Sequence, residues 1–221
     1  IVILVSGRGS NMRAIVERCR GEGWPAEVVA VLADRAGAAG LAWAGEQGIA
    51  TEVVAFDAFA RGNADATGRE RFDAALAEAI DRHAPDLVVL AGFMRILGAG
   101  FVGHFSGRLL NIHPSLLPRH KGLGTHQKVL DAGEREHGAS VHFVTLELDG
   151  GPVVLQGRVP VRERDDAHRL SARVQRVEHS IYPRVVQWFA SGRLRCDAEG
   201  PRLDGQPLLA PRVEDFDDAE P

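Results

Sequence analysis

The feature that most constrains this chain is an alternation. Through its first half, short β-branched apolar runs are separated by Ala-rich stretches of helical period. Parallel strands need a crossover connection, usually a helix, and strands covered on both faces read as unbroken apolar runs. That order predicts an α/β fold: a mainly parallel, Rossmann-like twisted sheet flanked by helices. Residues 1–5, 28–33, 52–56 and 86–91 read as its first four strands and 108–112 as the fifth, stopped by Pro114. Helices are expected over 11–20, around Leu41 and Ala44 up to Gly48, and through the apolar stripe Phe72, Leu76 and Ile80.

Beyond Pro114 the pattern changes. Residues 140–148 and 153–161 read as longer, antiparallel strands on either side of Asp149-Gly150-Gly151-Pro152. A helix is expected over 167–189, with Leu170, Val174, Val177 and Ile181 on one face, then a small hairpin over 193–209 turning at Glu199-Gly200-Pro201. The acidic end, 214–221, reads as a flexible tail.

Composition narrows the function. At 221 residues the chain can bury a core without disulfide staples, and its two cysteines, Cys19 and Cys196, read as reduced thiols of a cytoplasmic protein. No apolar run reaches the ~20 residues that span a bilayer. A net charge of −4 with scattered cations argues against a nucleic-acid footprint. None of the nine histidines has a zinc-type spacing, so no metal is expected.

Three segments carry chemistry. Ser6-Gly7-Arg8-Gly9-Ser10-Asn11 joins the first strand to the first helix. Glycines there let backbone N–H groups approach an anion at a helix N-terminus, and Ser10 and Asn11 can cap the helix or bond a phosphate. A nicotinamide site with Asp34 on a ribose is the rival reading; Met12 where a third glycine belongs speaks against it. A purely structural turn stays open. At the end of the fifth strand, alternation puts Asn111 and His113 on one face. Two polar groups there are costly to bury unless satisfied or used. An amide beside an imidazole suits acyl transfer, one stabilising an oxyanion and the other moving a proton. The bland alternative is a satisfied core histidine beside a turn-forming Asn. Asp149, in its paired-glycine turn, can bond an imidazole or be an ordinary Asp-Gly turn.

These segments, with Gly92-Phe93-Met94-Arg95-Ile96-Leu97 and the run from Gln175 to Pro183, stand in the order of a known family. From residue 1 to about 209 the chain resembles the phosphoribosylglycinamide formyltransferases, folate-dependent enzymes of purine synthesis. The resemblance implies formyl transfer from 10-formyltetrahydrofolate to the glycine amine of phosphoribosylglycinamide, with no metal. It implies one domain over 1–209, with a phosphate-binding half (1–105) and a catalytic, folate-binding half (106–209), the acidic tail following. Asn111, His113 and Asp149 would be the catalytic trio: Asn111 holding the oxyanion, His113 assisting proton transfer, Asp149 tuning His113 and ordering a water. Gly9, Ser10 and Asn11 would grip the substrate phosphate, and Gln175 and Glu178 would bind the amine-bearing substrate. Met94, Arg95, Ile96 and Leu97, with Thr145, Leu146, Glu147, Leu148, Asp149 and Asn111, would line the folate site. Arg69 would reach an anion, either phosphate or folate carboxylate. Arg8, Gly124 and Leu146 depart from the family's usual residues. Partners would be small molecules, and the assembly a monomer or weak homodimer. Related enzymes fit less well: the tRNA formyltransferase needs an RNA-binding domain, and the formylfolate hydrolase an extra regulatory one.

Overall fold

The computed structural model describes residues 1–60 and 66–217, and the chain divides into two compact units, Ile1–Leu110 and Asn111–Pro221. In chain order the first unit holds β1 (Val2–Val5), α1 (Ser10–Gly21), β2 (Ala30–Ala33), α2 (Ala39–Glu46), β3 (Ala50–Val53), α3 (Phe56–Ala60), α4 (Ala66–Asp81), β4 (Val88–Leu90) and α5 (Ala99–His104). Its strands run β4-β1-β2-β3, all parallel, with Val2 beside both Ala30 and Val88. Every residue of β1, β2 and β4 is buried, which is why these strands are unbroken apolar runs. Met12, Ile15 and Val16 of α1 and Phe72, Leu76 and Ile80 of α4 are buried at helical spacing.

β5 (Leu109–His113) leads into the second unit, followed by α6 (Thr125–Asp131), β6 (Glu136–Phe143), β7 (Val153–Pro160), α7 (Ala167–Ala190), β8 (Leu194–Asp197), β9 (Gly200–Leu203), β10 (Gln206–Pro207) and β11 (Arg212–Asp215). β6 and β7 pair antiparallel, and α7 lies against both, burying Leu170, Val174, Val177 and Ile181. Close approach explains two glycines: a Cβ on Gly138 would lie 1.9 Å from the Gly157 carbonyl, and one on Gly157 would lie 2.1 Å from Val177. β8, β9 and β10 form a separate antiparallel sheet.

The mainly parallel α/β reading holds; several element ends shift by a few residues, β6 starting at Glu136 rather than 140, and four differences bear on the packing. The third strand is Ala50–Val53 rather than 52–56, and Phe56 instead opens a short helix whose first N–H bonds the Asp34 carbonyl. The strand expected to reach 148 stops at Phe143, because residues 147–150 close a turn with the Gly150 N–H on the Glu147 carbonyl. The turn expected at Glu199-Gly200-Pro201 lies earlier, since Gly200 and Pro201 already belong to β9. The flexible tail expected from 210 instead carries β11, which runs parallel to β7 with Arg212 beside Leu155. Its acids find cations there: Asp215 holds Arg158 at 2.6 Å and Glu214 pairs with Arg184. Residues 218–221 lie outside those described.

Candidate active site

Asn111 and His113 stand on one face of β5, as alternation requires, with Leu110 and Ile112 buried on the other. His113 is buried, and both its ring nitrogens face oxygen. Nε2 lies 3.0 Å from the His120 carbonyl, and Nδ1 lies 3.4 Å from Asp149 Oδ2. A carbonyl can only accept, so Nε2 donates to His120, and Nδ1 faces the carboxylate.

Asp149 reaches this position through a left-handed backbone (φ 49°), followed at once by Gly150 and Gly151. A Cβ at Gly151 would lie 1.9 Å from the Phe143 carbonyl, so the paired glycines are required for the chain to fold back here. Asp149 Oδ2 also accepts the Gly122 N–H at 2.9 Å. The carboxylate is thus fixed by backbone strain and a backbone donor, not by its ring partner alone. The His120 carbonyl is held similarly: His120 has φ 52°, and its Nε2 lies 2.5 Å from Glu134.

The site includes one residue the sequence reading missed. His142 of β6 sits where the β6–β7 register shifts, between Val141 and His142. Its Nδ1 lies 3.0 Å from the Phe143 carbonyl and its Nε2 lies 3.1 Å from Asn111 Nδ2. Since a carbonyl can only accept, Nδ1 carries the proton and Nε2 accepts from the amide. Burial pushes the His142 ring's pKa down, which keeps it in this neutral form. One N–H of the Asn111 amide is thereby spent and the other left for an oxyanion. The same Asp149 is 4.0 Å from this second ring.

In the first unit, Gly9 is the N-cap of α1, with φ 71° and no side-chain cap, so Ser10 is the first helical residue rather than the cap. Gly40 packs on the loop, its N–H bonding the Gly7 carbonyl at 2.9 Å. The segment following β4 is anchored on the ends of β1 and β2. Ser6 Oγ accepts the Met94 N–H at 2.9 Å, and Arg95 Nε lies 2.5 Å from Asp34 Oδ2. Asp34, the residue a nicotinamide site would offer to a ribose, is therefore engaged by an arginine. Met94 and Ile96 are 65 % and 64 % exposed, an unusual display of apolar surface on a well-anchored segment. Leu97 is half-buried.

The remaining residues are placed as follows. Thr145, Leu146, Glu147 and Leu148 are exposed in the connection from β6 to Asp149, and Glu147 bonds Lys121 at 2.6 Å. Gln175 and Glu178 are half-buried three residues apart on α7, a spacing that shares a helix face. Arg69 is exposed on α4 and lines a cavity of about 470 Å³ with Asp73, Phe101 and His104. No group of three or more His, Cys, Asp or Glu suited to a metal occurs among the described residues.

Known proteins match this arrangement closely. Residues 1–186 match the family described as Formyl transferase. The chain is 52 % identical over 208 residues to the phosphoribosylglycinamide formyltransferase of Escherichia coli K12, covering 94 % of this chain and 95 % of that one. It is 41 % identical over 208 residues to the enzyme of that name from Haemophilus influenzae, with the same coverage of both chains. A solved phosphoribosylglycinamide formyltransferase from Coxiella burnetii superposes with a TM-score of 0.88 at 44 % identity, over 96 % of this chain and 97 % of that one.

Proposed function

This chain belongs to the formyl transferase family, and from that premise we propose that it transfers the formyl group of 10-formyltetrahydrofolate to the glycine amine of phosphoribosylglycinamide, yielding formylglycinamide ribonucleotide and tetrahydrofolate in purine biosynthesis. The observation that carries this reading is the convergence of Asn111, His113 and Asp149 in a buried site. Attack of an amine on a formyl carbon places negative charge on oxygen and a surplus proton on nitrogen. The free N–H of Asn111 meets the first need. Asp149, against the His113 ring, meets the second by taking the proton directly or through an ordered water. Relayed through His113, that proton leaves on the departing nitrogen, so the site returns to its starting state.

The folate derivative supplies the activated formyl group. The exposed Met94 and Ile96 suit the faces of a flat heterocycle. Arg95 and Leu97, and Thr145, Leu146, Glu147, Leu148 and Asp149, would complete the donor's surroundings. Gly9, Ser10 and Asn11 would hold the substrate phosphate at the α1 N-terminus, where backbone N–H groups and the helix dipole favour an anion. Gln175 and Glu178 would orient the glycinamide, and Arg69 would take a phosphate or carboxylate. The units, on this reading, are one formyltransferase domain. We place it in the cytoplasm, where its free cysteines Cys19 and Cys196 stay reduced, as a monomer or weak homodimer. No described helix is long and apolar enough to cross a membrane.

The test is direct. Purified protein with both substrates should release tetrahydrofolate, followed by absorbance, only when the amine is present. Release with water alone would make the protein a hydrolase and overturn the proposal.

A further inference from the structure

Five arginines gather in one place on a chain whose net charge is −4. Arg162 and Arg164 stand in the connection from β7 to α7, and Arg169, Arg173 and Arg176 follow at helical spacing in the first three turns of α7. With Asp165 they line a hollow of about 430 Å³. Gln175 and Glu178, on the same helix, do not line it, so the hollow is made by residues other than those given to the glycinamide.

The acids near the hollow are already committed. Asp165 pairs with Arg173 through both oxygens, Oδ1 lying 3.2 Å from Nη1, and its Oδ2 also accepts the Arg162 backbone N–H at 2.8 Å. Asp166 caps α7 by accepting the Arg169 N–H at 2.7 Å, and its other oxygen lies 3.8 Å from Arg169 Nε. Glu163 is exposed and does not line the hollow. Arg173 is 5 % exposed, donates to the Pro160 carbonyl at 2.9 Å, and still has a buried Nε with no partner. A buried guanidinium with a donor unspent is costly, and here it holds the Asp165 that fixes the Arg162 backbone. Arg169 Nη1 bonds the Arg164 carbonyl at 2.9 Å, which ties down the same connection. Among the described residues, neither the Arg162 nor the Arg164 guanidinium has a hydrogen-bond partner.

Ala172 is the one apolar side chain in the lining among the described residues. The hollow therefore offers no stacking surface to an organic body, and recognition falls on charge. Guanidinium forks match phosphate oxygens, and several around a space of this volume suit adjoining phosphates better than a single one. A nucleic-acid backbone would need a stripe of cations, and the net negative charge repels a long polyanion. We propose that this hollow binds the di- or triphosphate group of a small molecule, free or as the tail of a nucleotide. It is a second anion site, built from none of the residues of the Gly9 loop, and it does not depend on the formyl-transfer reading.

The experiment is isothermal titration calorimetry of the whole chain with tripolyphosphate, ATP and inorganic phosphate in magnesium-free buffer. Tripolyphosphate should bind the wild type at least about 10-fold more tightly than inorganic phosphate, with an affinity that falls as salt rises. Arg162→Gln/Arg164→Gln should weaken it by about 10- to 100-fold, the weight of one or two charge-assisted contacts, at unchanged Tm because both side chains are exposed. Gly9→Ala should bind it as the wild type does. ATP no tighter than tripolyphosphate makes the phosphate tail alone the ligand, and tighter ATP makes it a nucleotide; either supports the proposal when the double variant loses the binding. No saturable binding of tripolyphosphate at millimolar concentration, or an affinity unchanged in the double variant, overturns it. So does loss of binding in Gly9→Ala instead, or binding of a single-stranded oligonucleotide but not of tripolyphosphate. Should the double variant fail to fold, Arg164→Gln alone decides: a 3- to 10-fold weakening, roughly half the effect on a logarithmic scale, is expected, and an unchanged affinity refutes the site.

Discussion

Replacing Asp149 with asparagine removes one charge and little else. Asparagine tolerates the left-handed backbone at φ 49°, and its amide oxygen can still accept the Gly122 N–H. The loss is therefore confined to the electrostatic partner of His113. At 3.4 Å and an effective dielectric near 20, a pair of unit charges is worth about 5 kcal/mol in gross Coulomb terms. Part of that is offset by the cost of keeping both groups 8 % exposed. A net loss of about 2.7–4.1 kcal/mol in the transition state corresponds to a 10²–10³-fold fall in kcat. That is also the usual weight of a positioned acid or base. Asp149→Ala would mix this effect with strain, since alanine has no polar side chain to suit the left-handed region. The assay is steady-state formyl transfer with both substrates saturating, alongside thermal denaturation. A kcat within about threefold of wild type, in a protein of unchanged Tm, would refute the assignment of Asp149 to the reaction.

Two further outcomes follow from other parts of the molecule. Gly9→Ala puts a Cβ at φ 71°, 3.2 Å from the Gly40 backbone and 2.8 Å from the end of Met12, which can move where Gly40 cannot. The strain of about 1–2 kcal/mol should lower Tm by roughly 2–8 °C and raise KM for the phosphorylated substrate far more than for the donor; an unchanged substrate KM would remove the loop from the phosphate site. His137, 2.9 Å from His126, is driven from 6.5 down to about 3 by burial and then by the charges of His126 and other neighbours. Its unfolded form binds a proton that the folded form rejects, so stability falls as pH drops from about 6.5 towards 3, by about 1.4 kcal/mol per pH unit from this ring. His137→Gln should flatten the dependence of the urea midpoint on pH between about 6 and 4, and an unaltered slope would contradict the burial argument.

Legibility in the sequence followed burial and locality. β1 and β4 were plain because strands buried on both faces leave an apolar run. β3 starts two and ends three residues before the expected strand because it is mostly exposed, and its register is set by pairing with β2, not by its own pattern. The acidic end read as a tail because its cations are remote: Arg158 lies 57 residues from Asp215, and Arg184 lies 30 from Glu214. Asn111, His113 and Asp149 were legible as polar residues at a strand end and in a glycine turn, and family order then grouped them. His142 obeys the same logic, a polar residue between Val141 and Phe143 on a buried strand. It escaped notice because its partner Asn111 is 31 residues away. Nothing local to Asp34 points to its arginine, because only the fold brings Arg95 to it across 61 residues.

The two rings beside Asp149 show why placement matters more than residue type. His113 and His142 are chemically identical, and one carboxylate lies 3.4 Å from the first and 4.0 Å from the second. Their other contacts separate them. His113 has an oxygen facing each of its nitrogens, the His120 carbonyl at Nε2 and the Asp149 carboxylate at Nδ1. His142 has an acceptor at Nδ1 but an amide donor at Nε2, so a second proton would confront the Asn111 N–H. Burial lowers the His142 pKa in the same direction. The carboxylate therefore lies nearer His113, while His142 stays neutral and fixes the amide. On the proposed reading, an oxyanion at this site would meet the remaining Asn111 N–H, already oriented by His142, a group outside the reaction, which is the preorganisation acyl transfer requires. Protonating His142 would turn the Asn111 amide away from its working orientation, so acid strong enough to charge this buried ring should erode oxyanion binding.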